Sequence, residues 1–213
     1  GELRITVALP GREVWLKVWE ARVGRVRLIL LDTDLPENAP ADRDIAHRLY
    51  GGDRQTRIEQ EIVLGVGGVR ALTALGLSPT VWHINEGHAA FLTLERIRML
   101  VAGGLDFAGA LEASAANTVF TTHTAVPAGH DHFAEEMFRR YFADWAPQLG
   151  VPVEQLFELG RTSGSPDFNM TALAIRGSRF QNGVSAIHGA VSSRICAHLW
   201  PQIDPQDNPV QHV

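Results

Sequence analysis

The sequence predicts an α/β fold in which helices flank a parallel sheet, preceded by a small β region. From residue 55 to residue 122, short β-branched segments alternate with helical patterns, which is typical of strand–helix–strand units. In residues 3–9 and 14–23, apolar and polar side chains alternate with the period of two that half-buried strands require, and residues 26–31 form a continuous apolar run. We therefore expect a β region over residues 1–40 and an α/β part over residues 41–213.

The β region contains three predicted strands, at residues 3–9, 14–23 and 26–31. Pro10-Gly11 and Gly24 separate these strands, and turn residues at such short spacing predict an antiparallel meander. Residues 35–42 contain Pro and Asn and are predicted to form a loop.

The α/β part contains a series of helical patterns with two short strands between them. We expect helices at residues 44–49, 55–77, 87–101, 106–116, 132–145, 153–159, 169–177 and 183–199, and strands at residues 80–84 and 117–122. Gly65, Gly67 and Gly68 are poor helix formers, so the long helix is expected to pack closely against a neighbour there. Asp106 is expected near the start of its helix, where a carboxylate suits the helix dipole.

The composition is that of a soluble globular protein, with 45% hydrophobic and 20% charged residues. A net charge of −5 argues against a nucleic-acid partner, because phosphate backbones are bound through clustered Lys and Arg. No apolar run reaches the ~18 residues that a membrane span needs. Cys196 is the single cysteine, which excludes an internal disulfide and predicts a reducing, cytoplasmic setting with Cys196 in the core. Both chain ends are expected to be cuts in a longer protein.

The first candidate site is the turn at residues 83–88 (His-Ile-Asn-Glu-Gly-His), which follows a predicted strand and opens a helix. Ligands bind at the carboxyl ends of strands in α/β sheets, so Asn85, Glu86 and His88 are candidates to face a cleft. The alternative is helix capping, with Asn85 as the N-cap, Glu86 in the first turn and His88 in solvent.

The second candidate site is the segment at residues 121–127 (Thr-Thr-His-Thr-Ala-Val-Pro), at the end of the next predicted strand. Either the backbone carbonyl or the ring of His123 can hydrogen-bond a ligand hydroxyl. The two strand ends follow each other as in neighbouring strand–helix units, which indicates one shared cleft. The alternative is that the threonines satisfy backbone groups of the loop.

A third candidate is residues 129–132 (Gly-His-Asp-His), which suggests a metal site together with His83, His88 and His123. The spacing of five between His83 and His88 does not place two ligands on one helix face. The alternative is that this segment enters the next helix, with Asp131 as a first-turn carboxylate.

Two single residues complete the candidates. Asn182 lies in a predicted turn at residues 177–182 and offers both a donor and an acceptor to a ligand hydroxyl. Asp53 lies in a glycine-bearing loop before the long helix, where it either caps that helix or belongs to a mobile gate.

Four segments, in order, carry a resemblance to a known family. They are Leu-Tyr-x-x-Asp with Arg-x-x-Gln-Glu at 49–61, the turn at 83–88 with Glu-Arg-Ile-Arg at 95–98, Thr-His-Thr-x-x-Pro at 122–127, and Asn-Met through Gly-Ser, Asn-Gly-Val and Ile-His at 169–188. Together they resemble the glycogen and maltodextrin phosphorylases, the α-glucan phosphorylase family, over residues 49–200. The Gly-His-Asp-His segment looks like the short bacterial and archaeal branch.

The resemblance implies a fold, an activity and residue roles. The family cleaves α-1,4-glucan with inorganic phosphate to glucose 1-phosphate, using the phosphate group of pyridoxal phosphate. Its glycosyltransferase-B-type fold has two Rossmann-like domains, and this chain would be part of the N-terminal one. By position, His123 and Asn182 would contact the primary hydroxyl of the glucosyl unit. Glu86 and His88 would line the anomeric side as the catalytic residues, Asn85 would bind the substrate, and Asp53 would lie in the gate.

The departures from the family pattern limit what this chain does alone. The family's cofactor lysine and its phosphate-binding Arg and Lys lie in a C-terminal domain that this sequence does not contain. Residues 51, 52 and 54 differ from the family's asparagines. We therefore expect a sugar-binding wall that alone neither binds pyridoxal phosphate nor turns over glucan. The alternatives are a stand-alone carbohydrate-binding module, a metal-dependent hydrolase using the histidines, and a structural piece that self-associates into oligomers.

Overall fold

The computed structural model describes residues 2–48, 52–126 and 129–213. The chain divides into two compact units, Gly1–Ser78 and Pro79–Val213, which are described separately. The division of the chain into domains at residues 40 and 41 stays a prediction. Leu49, Tyr50 and Pro127, which belong to the segments that carry the family resemblance, lie outside the described residues.

The first unit opens with the predicted meander. Its strands are β1 (Arg4–Leu9), β2 (Arg12–Val23) and β3 (Val26–Asp32), which pair antiparallel in the order β1-β2-β3. Alternation places one set of side chains in the core, such as the fully buried pair Val7 and Val14. The other face exposes Trp19 opposite Leu30. This face is an apolar surface of the kind that the self-association alternative requires.

The short helix after the meander lies earlier than predicted. Helix α1 (Pro40–Arg43) falls in the expected loop, and residues 44–47 form turns, so the helix predicted at 44–49 is wrong there. Pro40 explains the shift, because its fixed φ and missing N–H suit the first position of a helix.

The predicted long helix is confirmed, with one irregular segment. It runs as α2 (Arg54–Ile62), a π-helical turn (Val63–Gly67) and α3 (Gly68–Ala74). A Cβ on Gly67 would lie 2.8 Å from Leu16 Cδ1, whereas one on Gly68 would meet no atom within 4 Å. The expected close packing is therefore confirmed at Gly67, where the helix lies on the meander, and is wrong at Gly68.

Replacing each of these neighbouring glycines by alanine is expected to change the free energy of unfolding with opposite signs. Gly67→Ala should destabilise the first unit by about 1 kcal/mol, because the new methyl displaces Leu16 in a packed core. Gly68→Ala should stabilise the unit by about 0.5–1 kcal/mol, because alanine loses less backbone entropy in a helix and here has room. Urea unfolding of the two variants checks this, and equal effects of the same sign would contradict the packing.

The second unit is built on a four-stranded parallel sheet, which confirms the α/β class. The strands of this unit are β4 (Trp82–Asn85), β5 (Thr118–Thr122), β6 (His132–Phe133), β7 (Phe168–Asn169), β8 (Phe180–Gly183) and β9 (Val210–His212). The parallel sheet has the order β4-β5-β8-β9, and β6 pairs with β7 antiparallel.

Two strands of this sheet are corrections to the sequence analysis. Residues 180–182 were expected in a turn and residue 183 at the start of a helix, but β8 runs through all four. Strand β8 holds its extended form through the ladder to β5, in which Thr121 pairs with Asn182. Strand β9 was not predicted, since three residues carry too short a pattern to distinguish a strand from a loop.

Helices flank the sheet of the second unit at close to the predicted places. They are α4 (Leu92–Ala102), α5 (Phe107–Ala116), α6 (Glu135–Phe142), α7 (Val153–Glu158), α8 (Met170–Arg176) and α9 (Ala186–Ile195). Asp106 caps α5 as expected, accepting a 2.7 Å hydrogen bond from the Gly109 backbone. Helix α6 begins three residues later than predicted, because His132 and Phe133 pair with β7.

An aromatic cluster forms the core beside the two-stranded ribbon. The Phe138 ring lies 4.1 Å from the Phe168 ring and 4.6 Å from the Phe142 ring, measured between centroids. Phe91 and Phe157 contact the same group, and all except Phe142 are fully buried. This cluster holds α6 and α7 together with β7. In the described part of the chain, no helix is both long and apolar enough to cross a membrane.

Candidate functional site

The carboxyl ends of three adjacent strands bring the predicted polar segments together. Asn85 ends β4 and pairs with Thr121 of β5, which in turn pairs with Asn182 of β8. The shared edge expected for the first two segments is therefore confirmed. The side chain of Asn85 is exposed there, and that of Asn182 is half-buried.

The Glu86 carboxylate is bound by the loop that follows β5. Its Oε2 accepts hydrogen bonds from the backbone N–H of His123 at 2.8 Å, and from both the N–H and the hydroxyl of Thr124 at 2.9 Å. Its Oε1 accepts from the Thr122 hydroxyl at 3.3 Å. The side chain is buried, so these four donors replace the water that an ionised carboxylate would otherwise need.

The backbone at Glu86 has a conformation that residues other than glycine rarely adopt. Its φ is 64° and its ψ is 171°, a combination that costs on the order of 1–3 kcal/mol in a residue with a side chain. The following 3₁₀ turn (Gly87–Ala89) has no side-chain cap. The capping alternative for Asn85 and Glu86 is therefore wrong, because the carboxylate bonds to a neighbouring strand end instead.

A second set of contacts crosses three strands through the Thr121 hydroxyl. That oxygen lies 2.7 Å from His83 Nε2 and donates a 3.0 Å hydrogen bond to Asn182 Oδ1. The Asn182 amide nitrogen donates to the Gly183 carbonyl at 3.2 Å. The threonines at residues 121–124 thus bond mainly to side chains across the sheet edge, and the alternative that they satisfy loop backbone is wrong for them.

His88 pairs with an aspartate from the third segment. Its Nδ1 lies 3.1 Å from Asp131 Oδ2, and both side chains are partly exposed. The prediction that Asp131 belongs to the first turn of the next helix is wrong, since that helix begins at Glu135. No sequence signal links two residues 43 positions apart, so this pair was missed.

The five histidines of the metal alternative do not assemble. Nδ1 of the buried His130 lies 2.6 Å from the Thr171 hydroxyl, whereas His83 and His88 have the partners given above. Burial lowers the pKa of His130, which keeps that ring neutral near pH 7. Among the residues that the structure describes, no group of three metal-binding side chains within ligand distance contains more than one of these histidines.

Asp53 and Cys196 have simpler surroundings. Asp53 caps α2, accepting from the Thr56 backbone at 2.9 Å and from its hydroxyl at 3.0 Å, and its expected place in a gate stays a prediction. Cys196 is buried as expected. Burial raises the pKa of its thiol to about 12, so the thiol is protonated and a poor nucleophile at neutral pH.

The residues present do not fit the cofactor that the resemblance implies. Pyridoxal phosphate is held as a Schiff base with a lysine amine. The sequence has one lysine, Lys17, on the meander. Its amine forms an ion pair with Glu2 and lies 3.7 Å from the centroid of the Trp19 ring, so it is committed to a surface contact.

His123 and Asn85 are exposed polar residues at the shared edge of the sheet. The parallel sheet and its flanking helices make this an α/β unit of the Rossmann-like class, in which ligands generally bind at the carboxyl ends of the strands.

Comparison with known proteins finds relatives that match almost the whole chain. The chain is 46% identical over 209 residues to a glycogen phosphorylase of Mycobacterium tuberculosis, covering 92% of this chain and 24% of that protein. It is 43% identical over 211 residues to the maltodextrin phosphorylase of Thermococcus litoralis, covering 99% of this chain and 25% of that protein. A glycogen phosphorylase of Aquifex aeolicus is 34% identical over 213 residues, covering 99% of this chain and 30% of that protein.

The chain is therefore homologous to a segment of the glycogen and maltodextrin phosphorylases, the α-glucan phosphorylase family. This confirms the resemblance drawn from the four segments. The chain spans about a quarter of the length of these curated relatives. No family model matches the sequence.

Proposed function

We propose that this chain is the sugar-binding wall of an α-glucan phosphorylase, a hexosyltransferase that cleaves α-1,4-glucan with inorganic phosphate to release glucose 1-phosphate. The observation that carries the proposal is homology along almost the whole chain to proteins named glycogen and maltodextrin phosphorylase. The convergence of polar groups at the carboxyl edge of the sheet supports it, because that edge is where α/β folds bind ligands.

The residues of this chain would act by holding the glucosyl unit. His123, an exposed residue on a loop whose backbone N–H is bound by Glu86, would hydrogen-bond a sugar hydroxyl, and Asn182 would support the same edge through Thr121. His88, oriented by Asp131, would face the anomeric side. Such a preorganised network stabilises a sugar with oxocarbenium character without having to reorganise during the reaction.

The cofactor and the phosphate would be bound elsewhere in the full-length enzyme. Pyridoxal phosphate would supply proton transfer through its phosphate group, held by the C-terminal domain that the family resemblance implies. Lys17 is committed to Glu2 and Trp19, so we propose that the chain alone binds no pyridoxal phosphate and releases no glucose 1-phosphate. A cytoplasmic location with glucan and phosphate as partners completes the proposal.

The test is binding of maltoheptaose to the isotopically labelled chain, followed in ¹H–¹⁵N NMR spectra. We expect resonances at Asn85, His123 and Asn182 to shift on titration, and the matched β-1,4-linked oligosaccharide to leave them unchanged. His123→Ala should weaken binding about tenfold, as expected for loss of one hydrogen bond to the ligand. His47→Ala, at an exposed histidine of the first unit, is the matched control and should bind like wild type.

Two outcomes would contradict the proposal. Equal binding of both oligosaccharides, or no resonance shift at the sheet edge, would show that this edge is not an α-glucan-binding surface. Phosphate-dependent release of glucose 1-phosphate by the isolated chain would refute the expected dependence on a separate cofactor domain.

A further inference from the structure

The buried carboxylate of Glu86 has little capacity left for a ligand. A carboxylate oxygen offers two lone pairs, and Oε2 already receives three donors from His123 and Thr124. Oε1 receives the Thr122 hydroxyl, and the whole side chain is 8% exposed. All four donors belong to three consecutive residues, Thr122 at the end of β5 and the first two residues of the loop that follows it. The carboxylate is therefore used within the protein, on the loop that follows β5.

The strained backbone of Glu86 is what directs this carboxylate to that loop. The Glu86 N–H donates to the Thr121 carbonyl at 2.9 Å, which continues the pairing of β4 with β5 by one residue. The positive φ at Glu86 then ends the extended conformation, and its side chain reaches the loop after β5. Strain of this kind persists only where the surroundings over-determine it, and it is concentrated at functional sites.

The loop held by Glu86 carries the exposed ring of His123. The backbone N–H groups of His123 and Thr124 both point to the carboxylate, which fixes the orientation of the peptide between them. The His123 side chain lies on the solvent side of this attachment. A group that must meet a ligand needs support of this kind, since a loop held by its own backbone alone would let the ring move.

We propose that Glu86 is a positioning residue, which acts on the sugar through the loop of residues 122–124 and does not touch the sugar itself. The proposal rests on the proposed function only for the identity of the ligand that His123 meets. It replaces the direct role at the anomeric side that the family resemblance implies for Glu86. The nearby pair of His88 and Asp131 is partly exposed and keeps the place at the anomeric side that the resemblance implies for His88.

The test compares two buried glutamates of the same unit. Glu86→Gln keeps the size of the side chain but replaces one acceptor oxygen by a donor. Glu95→Gln is the matched control, because Glu95 lies in α4, is 1% exposed and pairs with Arg98 at 2.6 Å. We expect Glu86→Gln to speed amide hydrogen exchange at His123 and Thr124 about tenfold and to move their amide proton resonances, whereas Glu95→Gln leaves both unchanged.

A second variant keeps the proposal testable if the first is poorly folded. Thr124→Val removes one donor from the loop and leaves the carboxylate intact. It should increase exchange at the same two amides by a smaller factor, and combining it with Glu86→Gln should add less than the sum of the separate effects. Unchanged exchange at His123 and Thr124 in both variants would overturn the proposal.

Measurements of maltoheptaose binding to the same variants distinguish this proposal from the proposed function. Glu86→Gln should weaken maltoheptaose binding about tenfold with His123 still present, and Glu95→Gln should not. Weaker binding with unchanged exchange at the loop would mean that Glu86 contacts the sugar directly, which overturns a positioning role. If the wild-type chain binds no maltoheptaose, the proposed function fails, and the exchange data alone decide whether Glu86 positions the loop.

Discussion

Phe138→Ala is expected to destabilise the second unit by about 4 kcal/mol, the largest effect among these substitutions. The Phe138 side chain is fully buried and its ring lies within 4.1–5.5 Å of three other phenylalanine rings. Truncation removes the transfer free energy of the ring and leaves a cavity that stiff aromatic neighbours cannot fill. Urea unfolding followed by near-ultraviolet circular dichroism, which reports aromatic packing, measures the change.

Phe180→Ala is the matched control for this cluster. Phe180 begins β8 with 62% of its surface exposed, so its loss should change stability by no more than about 0.5 kcal/mol. The midpoint of the Phe138→Ala transition should fall without a change in its slope, since the surface exposed on unfolding is nearly the same. Equal losses in the two variants would contradict the buried cluster.

Glu86→Ala is expected to cost about 3 kcal/mol, and Glu86→Gly about 1–2 kcal/mol less. Both variants remove the acceptor of four hydrogen bonds, and so leave the N–H groups of His123 and Thr124 without their partner. Alanine keeps a Cβ at a φ of 64° and a ψ of 171°, whereas glycine adopts these angles without strain. Unfolding in urea gives both free energies.

Glu112 supplies the control, because it lies in α5 with an ordinary helical backbone and pairs at the surface with Arg179. There the order should reverse, with glycine less stable than alanine by about 1 kcal/mol. A glycine penalty at both positions would show that the backbone of Glu86 is unstrained in solution, and would remove the argument that strain directs its carboxylate.

The meander shows how far local pattern can predict structure. Its first two strands follow from alternation and its third from an apolar run, and Gly11 and Gly24 mark the turns with positive φ values of 72° and 59°. The long helix and the cap at Asp106 also follow from residues that are close in sequence. In each case the stabilising contacts join near neighbours, so the pattern and the structure report the same physical interactions.

The candidate site could be predicted only in part, because many of its contacts join residues that are distant in sequence. The sequence indicated that the segments around Glu86 and His123 would end neighbouring strands, because parallel strands separated by helices place their carboxyl ends at one edge. It did not indicate that the Glu86 carboxylate would be bound by the His123 loop, or that His88 would pair with Asp131. Those contacts depend on the exact register of the sheet and on a backbone conformation at Glu86 that no residue preference predicts.

The sequence by itself determined the fold class, the meander, most helices and the family, because these depend on periodicity, on turn chemistry and on segments kept in order. Only the tertiary structure decided that residues 180–183 form a strand. Asn182 of this strand pairs with Thr121, which lies 61 positions away in the sequence. The tertiary structure also decided which glycine of the long helix is crowded and which donors surround Glu86. Hydrogen bonds and packing between distant segments carry no local signature, so they become visible only when the chain is folded.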